Sequence, residues 1–124
     1  MAYARVLAAA ERPFEEAEVR DLVRRDVERA RDFAAFQNHD LLEDEDMPRG
    51  PLSSIGAQTL VIHVTADPMF PLAHGEKLAS EIPSAGLLRL EGAGHGVERS
   101  DWNDITEAIA AHTVEAIAAH TVAT

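Results

Sequence analysis

The chain has 124 residues without a cysteine, and its 22 acidic residues outnumber its 11 Lys and Arg to give a net charge of −11. This length allows one domain, and an apolar fraction of 46% is enough for a packed core. The negative charge disfavours nucleic acid and membrane surfaces as partners, while the missing thiols exclude a disulfide framework and a cysteine nucleophile. There is neither a signal-like N-terminus nor an apolar run of about 20 residues, so we expect a soluble, cytoplasmic protein.

The N-terminal third of the chain has a helical pattern and most of the basic residues. Apolar side chains between Phe14 and Ala34 recur at steps of three and four, with Glu and Arg between them, which predicts an amphipathic helix over residues 13–36. Pro13 suits the first turn of that helix. A shorter helix is expected over residues 2–10, so the two would form a helical hairpin.

An acidic run at residues 43–46, followed by Met-Pro-Arg-Gly-Pro, ends this helical pattern. We interpret residues 1–46 as one helical segment, residues 47–57 as a solvated linker and residues 58–124 as the rest of the domain. A metal site in the acidic run is the alternative, but a run of like charges is more typical of a solvated segment.

Two strand-like runs follow the linker. Residues 59–64, Thr-Leu-Val-Ile-His-Val, are apolar without interruption, a pattern typical of strands buried on both faces of a parallel sheet. Helix-favouring residues cover 74–81, and residues 86–90 form a second run. This order predicts a β-α-β unit with a right-handed crossover, and therefore an α/β fold.

Ser100 is positioned to cap a last helix, whose second half contains a repeat. Residues 107–114 recur unchanged as residues 115–122. Eight residues leave the second copy rotated by about 80°, so the repeat either lengthens the helix outside its apolar stripe or frays. Its histidines lie eight residues apart, which does not suit a shared metal ion, and no metal site is predicted. The expected stripe consists of Trp102, Ile105, Ile109, His112 and Ala116.

Two polar residues lie just past the predicted strands. Asp67 follows the first strand and His95, within Glu-Gly-Ala-Gly-His-Gly, follows the second. The carboxyl ends of parallel neighbours meet at one edge of a sheet, where a carboxylate can fix the tautomer of an imidazole. The glycines allow the tight turns that bring the histidine back over the site. Taken singly, an Asp before Pro is typical of turns and a histidine among glycines is typical of loops. The hypothesis of an acid–base pair therefore depends on the occurrence of Asp and then His, each just past a separate strand with a helix between them.

These motifs resemble those of a known family. The segment from Pro51 to Gly75, with Leu-Leu-Arg-Leu-Glu-Gly-Ala-Gly-His-Gly at residues 87–96, is similar to the C-terminal third of an α/β-hydrolase over about residues 50–113. In that family the catalytic residues occur in the order nucleophile, acid, histidine. The resemblance therefore implies a partial α/β-hydrolase fold, in which Asp67 is the acid and His95 the base.

The resemblance also implies roles for the surrounding residues. Residues 1–46 would be the end of a helical cap, and Met69 and Phe70, together with the flanking prolines, would line the substrate pocket. A helix-entry turn is the alternative role of these four residues. The implied substrate is a small ester-like molecule, and no cofactor is implied.

The sequence departs from the family pattern in two places. Val64 stands where the family usually has a glycine at the end of the strand, and no Gly-x-Ser-x-Gly elbow occurs in the 124 residues. The remaining serines do not substitute for the nucleophile. Ser53 and Ser54 precede the first strand, Ser80 and Ser84 flank the crossover helix, and Ser100 is better explained as a cap.

Two hypotheses of different classes remain. In the first, the chain is a C-terminal hydrolase segment that is inactive alone and acts with an N-terminal hydrolase half or within a homodimer. In the second, it is a noncatalytic interaction domain derived from a hydrolase, since a two-stranded sheet leaves apolar edges for another chain to cover. A metal-binding domain using the six histidines is the weakest alternative.

Overall fold

The computed structural model describes residues 2–32, 34, 35, 38 and 50–122. The predicted α/β architecture is confirmed, because a parallel pair of strands and their crossover helix are preceded and followed by further helices. In chain order, the elements are α1 (Ala2–Leu7), α2 (Glu16–Arg29), a 3₁₀ turn (Leu52–Ser54), β1 (Thr59–Val64), α3 (Leu72–Glu81), β2 (Ala85–Leu90), a second 3₁₀ turn (Arg99–Asp101) and α4 (Trp102–Val122).

Strands β1 and β2 lie parallel and side by side, with Thr59 opposite Ala85 and Val64 opposite Leu90. Helix α3 packs on both strands, and Gly75 makes this packing possible. A Cβ at that position would lie 2.7 Å from Cβ, Cγ and Cδ2 of His63. The helix therefore approaches β1 more closely than any residue with a side chain would allow.

Every residue of β1 is only partly buried, which differs from the prediction of a strand covered on both faces. The sheet of the described chain has two strands, so each strand has one unpaired edge. The buried apolar residues include Ile82 just after the crossover helix, Leu90 at the end of β2 and Ala93 in the loop that follows it.

The N-terminal helices are both present but shorter than predicted. Helix α2 ends at Arg29 because Ala30 is extended, and it contains no buried residue. An ion pair between Arg5 and Glu16 links it to α1, and the Arg5 guanidinium lies 4.6 Å from the centre of the Phe14 ring. Phe33 and Phe36, which we expected inside the second helix, and the acidic run at 43–46 lie outside the described residues.

Helix α4 continues through both copies of the repeat, so the duplication lengthens the helix. Ile117 of the second copy is 62% exposed, but Trp102 and Ile109 of the expected stripe are also 46% and 48% exposed, so the stripe itself is not buried along its length. The prediction that Ser100 caps this helix is wrong, because the 3₁₀ turn that leads into α4 already begins at Arg99. The N–H of Glu98 donates to Oδ2 of Asp101 at 3.1 Å, so this carboxylate closes the turn in place of the serine hydroxyl.

Across the described part of the chain, no helix combines the length and apolar character needed to cross a membrane.

Candidate active site

The loops that follow β1 and β2 meet at one edge of the sheet and are joined by hydrogen bonds. The N–H of Ala66 donates to the carbonyl of Ala93 at 3.0 Å, and the N–H of Gly92 donates to Oγ1 of Thr65 at 2.8 Å. The parallel pairing brings both loops to the same edge, as expected for neighbouring strands that run in the same direction.

Asp67 and His95 lie in these loops and contact each other. The distance from Nδ1 of His95 to Oδ2 of Asp67 is 2.9 Å, although the two residues are 28 positions apart in the sequence. If the imidazole is neutral, a proton on Nδ1 satisfies this carboxylate and leaves Nε2 with a free lone pair. In this arrangement, Nε2 of His95 can therefore act as a base.

The Asp67 side chain is only 6% exposed, and each of its oxygens has partners. Oδ1 accepts the N–H groups of Met69 at 2.7 Å and Phe70 at 3.0 Å, while Oδ2 faces His95. Burial by itself raises the pKa of the Asp67 carboxyl, but the hydrogen bonds from His95, Phe70 and Met69 outweigh burial and lower this pKa below its ordinary value. The carboxylate is therefore held in its charged form.

His95 lies next to an aromatic ring and at the edge of a cavity. Its ring centre is 5.6 Å from that of Phe70, and its side chain is 35% exposed. The cavity has a volume of about 940 Å³ and lies between the N-terminal helices and the loop after β2. Its lining is mainly apolar and includes Tyr3, Leu7, Phe14, Leu22, Val97 and Trp102 beside His95.

The two predicted pocket residues, Met69 and Phe70, are not among the residues that line this cavity. Both are about half exposed, and their backbone N–H groups hold Asp67. Phe70 approaches the site through its ring contact with His95 and also lies 6.2 Å, ring centre to ring centre, from His74. The structure therefore places these residues beside the Asp67–His95 pair.

The loop that contains His95 packs against the N-terminal segment, a contact that the sequence reasoning missed. The N–H of His95 donates to the carbonyl of Leu7 at 2.8 Å. Gly94 lies so close to this segment that an added Cβ would be 2.3 Å from the N atom of Ala9. Arg12 then reaches the carbonyl of Glu91 and the buried carboxylate of Asp101.

Three of the serine hydroxyls that were considered as nucleophiles have local partners. Those of Ser54, Ser80 and Ser84 donate to the carbonyls of Pro51, Lys77 and Pro83, within their own turns. Ser84 has a positive φ of 62°, as the tight turn before β2 requires. Among the described residues, no three His, Asp or Glu side chains gather in a group that could hold a metal ion.

Comparison with known proteins identifies a family of hydrolases. A model of the α/β-hydrolase family described as TAP-like protein matches residues 42–114, more than half of the chain. Two rhodomycin D methylesterases, DauP from Streptomyces sp. strain C5 and DnrP from Streptomyces peucetius, are each 32% identical over 76 residues. These residues are 60% of this chain and 26% of each methylesterase, so the match covers about a quarter of the relatives.

A third similarity is to a much larger protein. The polyketide synthase ThaQ from Burkholderia thailandensis is 50% identical over 46 residues, which are 37% of this chain and 2% of the synthase.

Proposed function

Because this chain belongs to the TAP-like family of α/β-hydrolases and forms the C-terminal part of that fold, we propose that it supplies the acid and the base for ester hydrolysis. In this proposal, His95 is the base and Asp67 orients it. The observation that carries the proposal is the 2.9 Å contact between Nδ1 of His95 and Oδ2 of Asp67, two residues whose surrounding motifs resemble those of the family.

The proposed reaction needs a serine from outside these 124 residues, which contain no Gly-x-Ser-x-Gly elbow. Nε2 of His95 takes the proton of that serine as its oxygen attacks the ester carbonyl. The proton then passes to the departing alcohol as the tetrahedral intermediate collapses to an acyl-enzyme. A water molecule, deprotonated by the same nitrogen, releases the acid and restores the serine. Throughout, the Asp67 carboxylate stabilises the imidazolium.

We propose a small ester with an apolar body as the substrate. The mainly apolar cavity beside His95 supports this, and so does the similarity to proteins named as methylesterases. Met69 and Phe70 are proposed to contact the substrate close to the acid, since Phe70 lies against the His95 ring. The mechanism requires no metal or cofactor.

We also propose a division of the chain that follows the family resemblance: residues 1–46 are the end of a cap, 47–57 a linker and 58–124 part of the hydrolase core. The proposed partner is the hydrolase half that contains the nucleophile. Two features support it: each strand of the described sheet has one unpaired edge, and the matched segment is about a quarter of the methylesterases. An unpaired parallel strand is a ready site for adding further strands.

The test is to co-express the full chain with the part of the Streptomyces peucetius methylesterase that precedes the matched segment. We expect ester hydrolysis to appear in the complex and to fall about 10²- to 10⁴-fold with His95→Ala. Asp67→Asn should cause a comparable loss, because the neutral amide can no longer stabilise the imidazolium. Hydrolysis is followed with a chromogenic ester.

The control is His112→Ala, which removes another imidazole from the segment matched by the family. It should leave hydrolysis unchanged. Restored hydrolysis that survives His95→Ala would contradict the proposed base. A fluorophosphonate adduct on the chain alone, lost in His95→Ala and detected by intact mass, would show that a serine within the chain is activated.

The alternative of a noncatalytic interaction domain is favoured by one observation, the large apolar side chains that remain exposed on α4, such as Val114 and Ile117. This alternative predicts that the chain self-associates whether or not Asp67 and His95 are intact. Light scattering of the chain with and without His95→Ala tests it: an equal dimer in both, without hydrolysis in any complex, would favour this alternative over the hydrolase.

A further inference from the structure

A single side chain, that of Arg12, joins the two ends of the loop that contains His95. Its Nε donates to the carbonyl of Glu91 at 3.0 Å, and its Nη2 contacts the same oxygen. At the other end of the loop, Nη1 donates to Oδ1 of Asp101 at 2.7 Å. Longer contacts from Nη1 reach Glu98 at 3.5 Å and Ser100 at 3.4 Å.

These partners are not an ordinary surface ion pair. The Asp101 side chain is 4% exposed and that of Arg12 is 21% exposed, so little water screens the contact. The other oxygen of Asp101 accepts the N–H of Glu98 at 3.1 Å, which orients the carboxylate. A guanidinium has five donors in one rigid plane and can serve Glu91 and Asp101 at once, whereas an ammonium is a compact point charge.

The same N-terminal segment also holds the middle of the loop. The N–H of His95 donates to the carbonyl of Leu7, and Gly94 lies directly against the backbone at Ala9. The loop is thus held at its start, at its histidine and at its end by residues 7–12. A base must be placed within a fraction of an ångström to transfer a proton efficiently, so this support bears on the position of Nε2.

We propose that Arg12 is a positioning residue for His95, acting by holding Glu91 and Asp101 at a set separation so that the imidazole keeps its hydrogen bond to Asp67. The importance of this role for catalysis rests on the proposed function, whereas the role itself concerns only the geometry of the loop. It makes the segment before α2 part of the site's support, although its contacts are with residues 79 to 89 positions later in the chain.

The test compares Arg12→Lys and Arg12→Met with Arg24→Met in the full chain. The control removes the same charge from α2, where Arg24 pairs with Asp21 and Glu28 of its own helix. Two NMR readouts report on the site: the proton on Nδ1 of His95 and the hydrogen exchange of the His95 backbone N–H. Exchange of the β1 and β2 amides reports on global unfolding.

In Arg12→Lys and Arg12→Met we expect the Nδ1 proton signal to broaden or disappear. The His95 amide should exchange about tenfold faster or more, because charge-assisted hydrogen bonds at both loop ends are lost or weakened. The β1 and β2 amides should exchange at the unaltered rate, and Arg24→Met should change neither readout. If Arg12→Met does not fold, because it leaves Asp101 unpaired, Arg12→Met with Asp101→Asn removes the stranded charge and is used in its place.

An unaltered Nδ1 proton and an unaltered His95 amide in both Arg12 variants would overturn the positioning role. A rise in exchange that is equal at His95 and throughout the strands would also overturn it, since that is the signature of a purely structural contact. Neither readout depends on hydrolysis. Loss of the NMR signature together with hydrolysis that survives His95→Ala would therefore contradict the proposed function and leave the positioning role intact.

Discussion

The β1–α3–β2 unit and helix α2 are held in place by different means. In the first, a parallel ladder joins the strands and α3 lies so close to β1 that only glycine fits at position 75. In the second, none of the 14 helical residues is buried, and exposed ion pairs such as Arg24–Glu28 lie along its surface. Close packing fixes atoms to a fraction of an ångström, whereas solvated charges tolerate movement.

The proposed site and the cavity beside it depend on these regions to different degrees. Asp67 and His95 follow the two strands of the closely packed unit, so the ladder sets the distance between their loops. The cavity beside His95 lies instead between α1 and α2 on one side and the segment from Gly94 to Trp102 on the other, and none of its lining residues belongs to β1, α3 or β2. The comparison teaches that the spacing of the two loops depends on the strand ladder, whereas the shape of the pocket depends on the N-terminal helices, so substitutions in the sheet and in α2 should have separable effects.

The largest effect is expected at the contact between α3 and β1. Gly75→Ala places a methyl group 2.7 Å from three atoms of the His63 side chain, one of which is its Cβ and cannot rotate away. Overpacking of this kind costs about 1–3 kcal/mol, more than the ~1 kcal/mol that alanine gains over glycine within a helix. We expect a net loss in the free energy of unfolding, measured by urea denaturation.

The matched control is Gly56→Ala, because nothing lies within 4 Å of a Cβ at that position. It should leave stability unchanged or slightly raise it. Equal stability in both variants would mean that α3 can move away from β1 at no cost, and the contrast between the two regions would then fail.

A smaller and more local effect is expected where the N-terminal segment meets the His95 loop. Gly94→Ala would bring a Cβ to within 2.3 Å of the N atom of Ala9 and 2.5 Å of the Leu7 carbonyl, and backbone atoms cannot yield by rotating. We expect the segment to separate from the loop while the sheet stays folded. Hydrogen exchange should then rise for α1 and for the His95 amide, with the strand amides unaffected.

Gly96→Ala is the control for this prediction, since a Cβ two positions further along the loop has open space around it. Faster exchange in α1 in both variants would indicate that the loop is sensitive to any added side chain. The close approach at Gly94 would then not be the cause.

The next effect concerns the pH dependence of stability. The folded-state pKa of Asp67 is lowered, so its carboxylate stabilises the fold above the pKa of the unfolded chain, and that contribution is lost as pH falls through the lower, folded value. We therefore expect Asp67→Asn to be less stable than the unaltered chain at pH 7. The difference should shrink below about pH 4, where the unaltered carboxyl also becomes protonated. Thermal melts across pH 2–7 measure this.

The contrary result would be a stability difference that stays constant, or widens, as the pH falls. Asp104→Asn is the matched control, because it removes an exposed carboxylate from the first turn of α4.

The sequence predicts the two regions to different degrees for physical reasons. Strand β1 is marked by a continuous apolar run, and Asp67 and His95 are marked by their positions just past the two predicted strands, so local patterns reveal them. Helix α2 ends seven residues before the predicted limit, since the alanine at position 30 continues the spacing of the stripe but offers little area to bury. Arg12 has no local signal, because each of its partners is about 80 residues away.

The smallest effect is expected on the surface of α2. Arg24→Gln removes ion pairs to Asp21 and Glu28, but all three side chains are at least half exposed, so water and salt already screen the charges. We expect the melting temperature to be unchanged within error at physiological salt, with at most a slight decrease at low salt. A decrease as large as that of Gly75→Ala would mean that α2 depends on its charges as the β1–α3–β2 unit depends on its packing. The wall of the cavity formed by this helix would then be as firmly held as the edge of the sheet that carries Asp67 and His95.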